Sequence, residues 1–212
     1  MVDFKALIDK FPGVFALYFN RKWTRGVVKY PVKTGEAPVD VRTLLEATTT
    51  DILNAGKKIA QEHSVMDERA LESLRYVMRT ILYKPDIQKW GKPEYWQTAP
   101  ETMHSLSGDC EDGAILLMKV MEAAGIPEFR RKLNAGNVQE NPIKKTGHAY
   151  VIYLASDLEW YVLDWCFWPI ESVAAFQKQP QRLRTAKYKD IWFTWNSEFC
   201  WPNQHDTIMK WG

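Results

Sequence analysis

The hydrophobic and polar positions of the chain follow a helical period in its first half and run in strand-like blocks in its second. Phe4, Leu7, Ile8 and Phe11 sit at helical spacing and predict a short amphipathic helix stopped at Pro12-Gly13. Phe15 to Phe19 and Val27 to Val32 read as short strands, and Gly35 to Pro38 as a turn or linker. Asp40 is placed to N-cap a long helix running to about Gln61, with Val41, Leu44, Leu45, Ile52, Leu53 and Ile59 as its apolar positions. Gly56 weakens the middle of that helix. A second helix is predicted over about Asp67 to Tyr83, with Leu71, Leu74, Val77, Met78 and Ile81 on one stripe. Pro85 ends it.

Lys84 to Ser107 reads as an aromatic-rich loop, long enough to be functional or well packed. A third helix is predicted from about Gly108 to Ala124, stopped by Gly125, with Ala114, Leu117, Met118 and Met121 buried. The character then changes. Phe129 to Leu133, His148 to Leu154, Trp160 to Trp165 and Tyr188 to Trp195 are strand-like, with a turn at Asp157-Leu158 and a short helix at 170–178. The tail after Trp195 has no clear period. Helices followed by an antiparallel sheet define an α+β class, with a helix packed on a small sheet. The expected organisation is an N-terminal extension over 1–38 and one domain over 39–212.

Composition narrows the function. With 212 residues, 46% hydrophobic and 25% charged, the chain suits a mid-sized folded domain. A formal charge of +2 gives no broad electropositive face, so nucleic acid is not an expected partner. Charged residues interrupt the N-terminal apolar run, so neither a cleaved leader nor a membrane span is expected, and a cytoplasmic or virion-associated location is. Three cysteines, Cys110, Cys166 and Cys200, do not form a disulfide framework. Ten tryptophans favour an aromatic core or groove. No zinc-site spacing and no nucleotide-binding glycine loop is present.

The chemistry concentrates at GDCEDGAILLMKVMEAAG. Gly108-Asp109 precedes Cys110, which falls in the first turn of the third helix. Unpaired N–H groups and the positive helix end gather there and favour a thiolate. The same N–H groups can donate to an oxyanion. His148 opens the strand HAYVIYL and can serve as proton shuttle. Asp164 ends the following strand, and neighbouring strands lie about 4.8 Å apart, so its carboxylate can orient the ring. Each residue also has a plainer reading: a buried small hydrophobe, a strand histidine and a turn aspartate. Their joint occurrence is what points to nucleophilic catalysis.

The stretch WQTAPETMHSLSGDCEDGAILLMKVMEAAGIP, followed by GHAYVIY and WYVLDW, resembles the transglutaminase-like superfamily with its papain-like core. Within it, the resemblance is to bacterial transglutaminase-like cysteine proteinases. Trp96, Pro100 and Glu101 approximate the family's lead, with one extra residue between Trp and Pro. Residues 108–112 match the cysteine motif, and His148 and Asp164 match the other two positions. The match spans about residues 95–165.

The resemblance implies a Cys110-His148-Asp164 triad acting through a thioester on a protein or peptide substrate, with water or an amine releasing the acyl group. Trp96, Gln97 and Trp165 are candidates for the oxyanion site or substrate groove, with packing as the competing role. No cofactor is required. Some members of the proteinase group bind calcium through acidic residues beside the cysteine, which makes Asp109 and Glu111 candidate ligands. Acidic residues in a first helical turn also favour the helix by themselves. Carboxylates near a thiol raise its pKa, so activity needs them turned away, paired or metal-bound. Two other functions fit the same motif. One is a protein-crosslinking transglutaminase. The other is an assembly protein, for example of a bacteriophage particle, that keeps the fold and binds protein partners.

Overall fold

A computed structural model of the chain describes residues 7–21, 25–139, 143–166 and 188–202. The helices are α1 (Pro12–Arg21), α2 (Thr50–Glu62), α3 (Met66–Thr80), α4 (Asp86–Trp90), α5 (Ala99–Ser105) and α6 (Cys110–Ala123). The strands are β1 (Lys29–Tyr30), β2 (Val39–Asp40), β3 (Leu82–Tyr83), β4 (Ser107–Gly108), β5 (Arg131–Gln139), β6 (Lys145–Leu154), β7 (Trp160–Leu163), β8 (Tyr188–Trp195) and β9 (Cys200–Pro202). Strands β5 to β9 form one antiparallel sheet in the order β7-β6-β5-β8-β9. No helix among the described residues is long and apolar enough to cross a membrane.

The sheet is buried on both faces, and the alternation along β6 shows how. Ala149, Val151 and Tyr153 join the core shared with α2, α3 and α6. Tyr150, Ile152 and Leu154 join a second core with Phe19, Phe129 and Trp201. Successive strand side chains point to opposite faces, so a strand buried on both sides reads as an unbroken apolar run. Helix α6 is enclosed as well: every residue from Glu111 to Met121 is buried. A helix apolar all round belongs in the middle of a core. Gly56 turns out to be a packing residue. A Cβ there would lie 2.3 Å from the Ala123 Cβ, so glycine lets α2 approach α6 closely.

Several expected elements are corrected. Pro12-Gly13 starts a helix instead of ending one, in keeping with proline's place at a first helical position. The expected strand Phe15 to Phe19 therefore lies inside α1, where Phe15 and Phe19 are four residues apart and stacked. The long helix from Asp40 is two pieces. Asp40 caps only a 3₁₀ turn, Val41–Leu45, and α2 begins afresh with the Thr49 side chain accepting from Ile52 N–H. The β-branched run Thr48-Thr49-Thr50 favours a cap over a helix interior. The second helix stops at Thr80, and Leu82-Tyr83 pairs in parallel with β4. The expected loop from Lys84 to Ser107 contains α4 and α5. Strand β6 begins at Lys145, so His148 sits inside the strand opposite Gly136 and does not open it. The tail after Trp195 supplies β9. The expected helix at 170–178 lies outside the described residues, as does Phe4.

Candidate active site

The short parallel pair β3–β4 leads straight into α6. Lys84 N–H donates to the Gly108 carbonyl (2.9 Å), and Asp86 N–H donates to Asp109 Oδ2 (3.3 Å). Asp109 is the N-cap of α6 and forms a reciprocal capping box with Asp112. This fixes Cys110 at the first helical position, within the first turn that the sequence predicts, although the helix begins at Cys110 and Gly108 belongs to β4. Trp165 Nε1 donates to the Cys110 carbonyl (3.1 Å). A Cβ on Gly113 would lie 2.2 Å from the Trp165 ring, so that glycine seats the indole against the helix.

Cys110 and His148 line one pocket of about 210 Å³, together with Tyr30, Glu94, Trp96, Glu111 and Trp192. Ala135, Gly147 and Ala149 also line it. His148 Nε2 is 2.8 Å from Asp164 Oδ2, with the two side chains 2% and 0% exposed. Asp164 also accepts from the Tyr188 hydroxyl (2.7 Å) and from Cys166 N–H (2.9 Å). Burial alone would push the Asp164 carboxyl up. The His148 ring, the Tyr188 hydroxyl and the Cys166 N–H outweigh burial and hold it below its ordinary value. The His148 ring stacks on Tyr150 at 6.0 Å between centroids.

The thiol itself departs from expectation. Cys110 Sγ donates to Glu111 Oε2 (2.9 Å), and its partner among the described residues is that carboxylate, not His148. Burial, then the nearby charge of Glu111, pushes the Cys110 thiol well up. The helix N-terminus favours a thiolate, but here desolvation and a like charge win. The neighbouring carboxyls are pushed the same way. Burial and Asp109 raise Asp86 to about 7. Burial raises Asp112 to about 8, against its bonds from Gln97. Glu111 is raised well above its ordinary value by burial and by Asp109 and Asp112.

The other expected site residues divide. Trp96 lines the pocket, with its ring 4.9 Å from Tyr30 and its Nε1 committed to Glu94 Oε2 (2.8 Å). Gln97 does not line it. Its amide N–H groups go to Asp112 and to the Ser107 carbonyl (3.2 Å), and Lys89 Nζ donates to its Oε1 (2.8 Å). Gln97 therefore braces the base of α6. Trp165 lies behind Cys110 rather than in the pocket lining. Asp109 and Glu111 stand together with Cys110, their ligand atoms all within 4.8 Å of one another. Tyr188, Tyr30, Glu94 and Trp192 are site residues that the sequence did not reveal. His104 is exposed on α5, and His63 pairs with Glu68 (3.7 Å). Trp168 and His205 lie outside the described residues.

No protein-family model matches the chain, and no curated protein matches it. Solved structures do. EGTA-treated LapG of Legionella pneumophila aligns with a TM-score of 0.50 at 17% identity, over 80% of this chain and 94% of that one. Calcium-bound LapG gives a TM-score of 0.46 at 17% identity, over 74% and 97%. A Cytophaga hutchinsonii protein assigned as a cysteine protease gives 0.41 at 18% identity, over 59% of this chain and 41% of that one. The first of these likenesses is one of fold: the chain shares the mixed helix-and-sheet architecture of LapG.

Proposed function

We propose that the chain is a cysteine-dependent hydrolase of peptide or amide bonds, with Cys110 as nucleophile, His148 as proton shuttle and Asp164 as its orienting carboxylate. The observation that carries this reading is the enclosed His148–Asp164 pair, 2.8 Å apart, facing a pocket shared with the cysteine at the head of a buried helix. The fold shared with LapG is in keeping with it.

In the reaction, Cys110 Sγ leaves Glu111 and gives its proton to His148 Nδ1, the ring nitrogen that Asp164 does not hold. The sulfur attacks the substrate carbonyl carbon, and first-turn N–H groups of α6 stabilise the oxyanion. The C–N bond breaks, and the imidazolium protonates the leaving amine. Water then attacks the thioester carbon, giving one proton to His148; the C–S bond breaks, and the imidazolium returns that proton to Cys110 Sγ, which releases a carboxylic acid and the free thiol. Asp164, ionised by its three donors, stabilises the imidazolium.

The residues beside Cys110 fit a hard cation. Asp109 Oδ1 is buried with no partner among the described residues, and its neighbours supply further carboxylate oxygens. Oxygen donors of this kind suit calcium. Asp109 and Glu111 would hold it, and its charge would offset the carboxylates that keep the thiol neutral. LapG itself has been solved in calcium-bound and EGTA-treated forms.

One observation favours a second reading. The Glu111-bonded neutral thiol suits an assembly protein that keeps the fold without turnover. Turnover of casein in calcium by the wild-type chain and by Cys110→Ala, with dansylcadaverine incorporation measured in parallel, separates the readings. Hydrolysis lost completely in a folded Cys110→Ala protein is the expected result. Retained hydrolysis removes the nucleophile assignment. Amine incorporation in place of hydrolysis makes the chain a cross-linker. A silent wild type with slow Cys110 alkylation by iodoacetamide moves the assembly reading to first place.

A further inference from the structure

We infer that Asp86, on the segment before the nucleophile helix, is a ligand of the same cation, which therefore ties the segment 82–97 to the head of α6. The inference rests on the reading that a cation binds beside Cys110, and adds to it a residue 24 positions upstream that no motif marks.

Asp86 is 3% exposed, yet its Oδ1 has no partner among the described residues. Its Oδ2 accepts from Tyr95 N–H, which anchors the carboxylate and leaves the other oxygen for a further partner. Two sets of carboxylates converge there, each with ligand atoms within 4.8 Å of one another: Asp86 with Glu94 and Glu111, and Asp86 with Asp109 and Asp112. Asp86 is the member common to both. A buried acceptor left empty costs free energy, and a cluster of like charges costs more. Lys89, a nearby cation among the described residues, lowers the Asp86 carboxyl without offsetting burial and Asp109. An ammonium has three donors, and Lys89 Nζ spends three hydrogen bonds on Gln97 Oε1 (2.8 Å), Ser105 Oγ (2.7 Å) and the Ser107 carbonyl (2.7 Å). An all-carboxylate donor set that is too charged for its surroundings, with an orphaned buried oxygen, is the chemistry of a calcium-sized hard cation. Glu94 is exposed and gives the cluster its solvent-facing side.

The consequence is mechanical. Tyr95 N–H holds Asp86, and Asp86 N–H already donates to Asp109 Oδ2 (3.3 Å), so a cation on Asp86 and Glu111 clamps the 82–97 segment, which lends Glu94 and Trp96 to the pocket, onto the head of α6. Glu111 then has two competing partners, the Cys110 thiol and the cation.

The test is calcium binding by titration calorimetry and thermal melting in EDTA and in calcium, for the wild type, Asp86→Asn and Asp109→Asn. Asparagine keeps an acceptor for Tyr95 N–H and removes the charge. The expected result is an Asp86→Asn protein that binds calcium about tenfold or more weakly and loses most of the calcium-induced rise in Tm. Its Tm in EDTA should be unchanged or higher, since a repelling charge is gone. Wild-type affinity in Asp86→Asn with weakened binding in Asp109→Asn overturns the role of Asp86 and leaves the cation reading standing. A lowered Tm in EDTA makes Asp86 a fold residue and also overturns the inference. No calcium binding by the wild type removes the cation altogether, while the Cys110→Ala assay judges the hydrolase separately.

Discussion

Two groups of buried carboxylates flank the same cysteine, and they titrate in opposite directions. On the sheet side, Asp164 is enclosed but receives three donors and is held below its ordinary value. On the helix side, Asp86 and Asp112 are also enclosed, and are raised to about 7 and about 8. Burial is the first cause in all three, so burial does not decide the outcome. The charge of the neighbours does, because Asp112 also takes three donors, from Gln97 N–H, Gln97 Nε2 and Asp109 N–H, and is still raised. Asp164 meets a histidine, a tyrosine hydroxyl and a backbone N–H. The helix-side carboxylates also take N–H donors, but Asp109 lies beside both and Asp86 beside Asp112, and each raises its neighbour. The sheet side is finished without a ligand, whereas the helix side is short of positive charge.

The strongest way to break this contrast is to remove the charge on the sheet side. Asp164→Asn should keep the fold, since the isosteric amide can still accept from Cys166 N–H with its oxygen and turn its NH2 to Tyr188 and His148. Under the proposed mechanism kcat should fall by about 10⁴, because the ring loses the acceptor that sets its tautomer. Steady-state kinetics on casein, with circular dichroism as a fold control, reads both. A loss of tenfold or less would mean that Asp164 only packs.

Tyr188→Phe is milder. It deletes one of the three donors to Asp164 and should destabilise the chain by about 2 kcal/mol, the size of a hydrogen bond to a charged group. Urea unfolding measures it. An unchanged midpoint would show that two donors suffice.

The smallest effect separates the two sides by pH. Asp86 and Asp112 have folded values above their unfolded value of 3.8, so between about pH 4 and pH 8 the folded protein holds protons that the unfolded chain has released. Their contribution to stability falls as pH rises through that window. Asp164 has the opposite sign: its contribution is present above 3.8 and lost as pH falls through its lowered value. In EDTA, Tm should therefore decline gently from pH 5 to pH 8, and drop at strongly acid pH. A flat profile from pH 5 to pH 8 would show that the helix-side carboxyls are not held neutral.

The sequence carried much of α6. The Gly108-Asp109 lead, the apolar run and the stopping glycine are local signals, and they put Cys110 in the first helical turn without any tertiary contact. Strand patterning likewise located β6, β7 and β8, because period and β-branching are written residue by residue. Boundaries were less legible where propensity and context disagree. Pro12 suits a helix start as well as a stop, and only the contacts of Phe19 with Phe129 and Trp160 decide for the start. Gly56 reads as a weak point in isolation, but it is the place where two helices touch.

What the sequence determined by itself is the order of the chemistry: a helix-borne cysteine, then a histidine and an aspartate near the ends of neighbouring strands. These follow from spacing and local preference. Tertiary structure decided which groups face one another. It set Tyr188 on Asp164 through a strand that pairs on the far side of β5. It turned Gln97 inward to Asp112. It aimed the thiol at Glu111, and it gathered Asp86 and Glu94 around the acids beside Cys110. Ionisation depends on distance and desolvation, which residues far apart in the chain acquire only on folding.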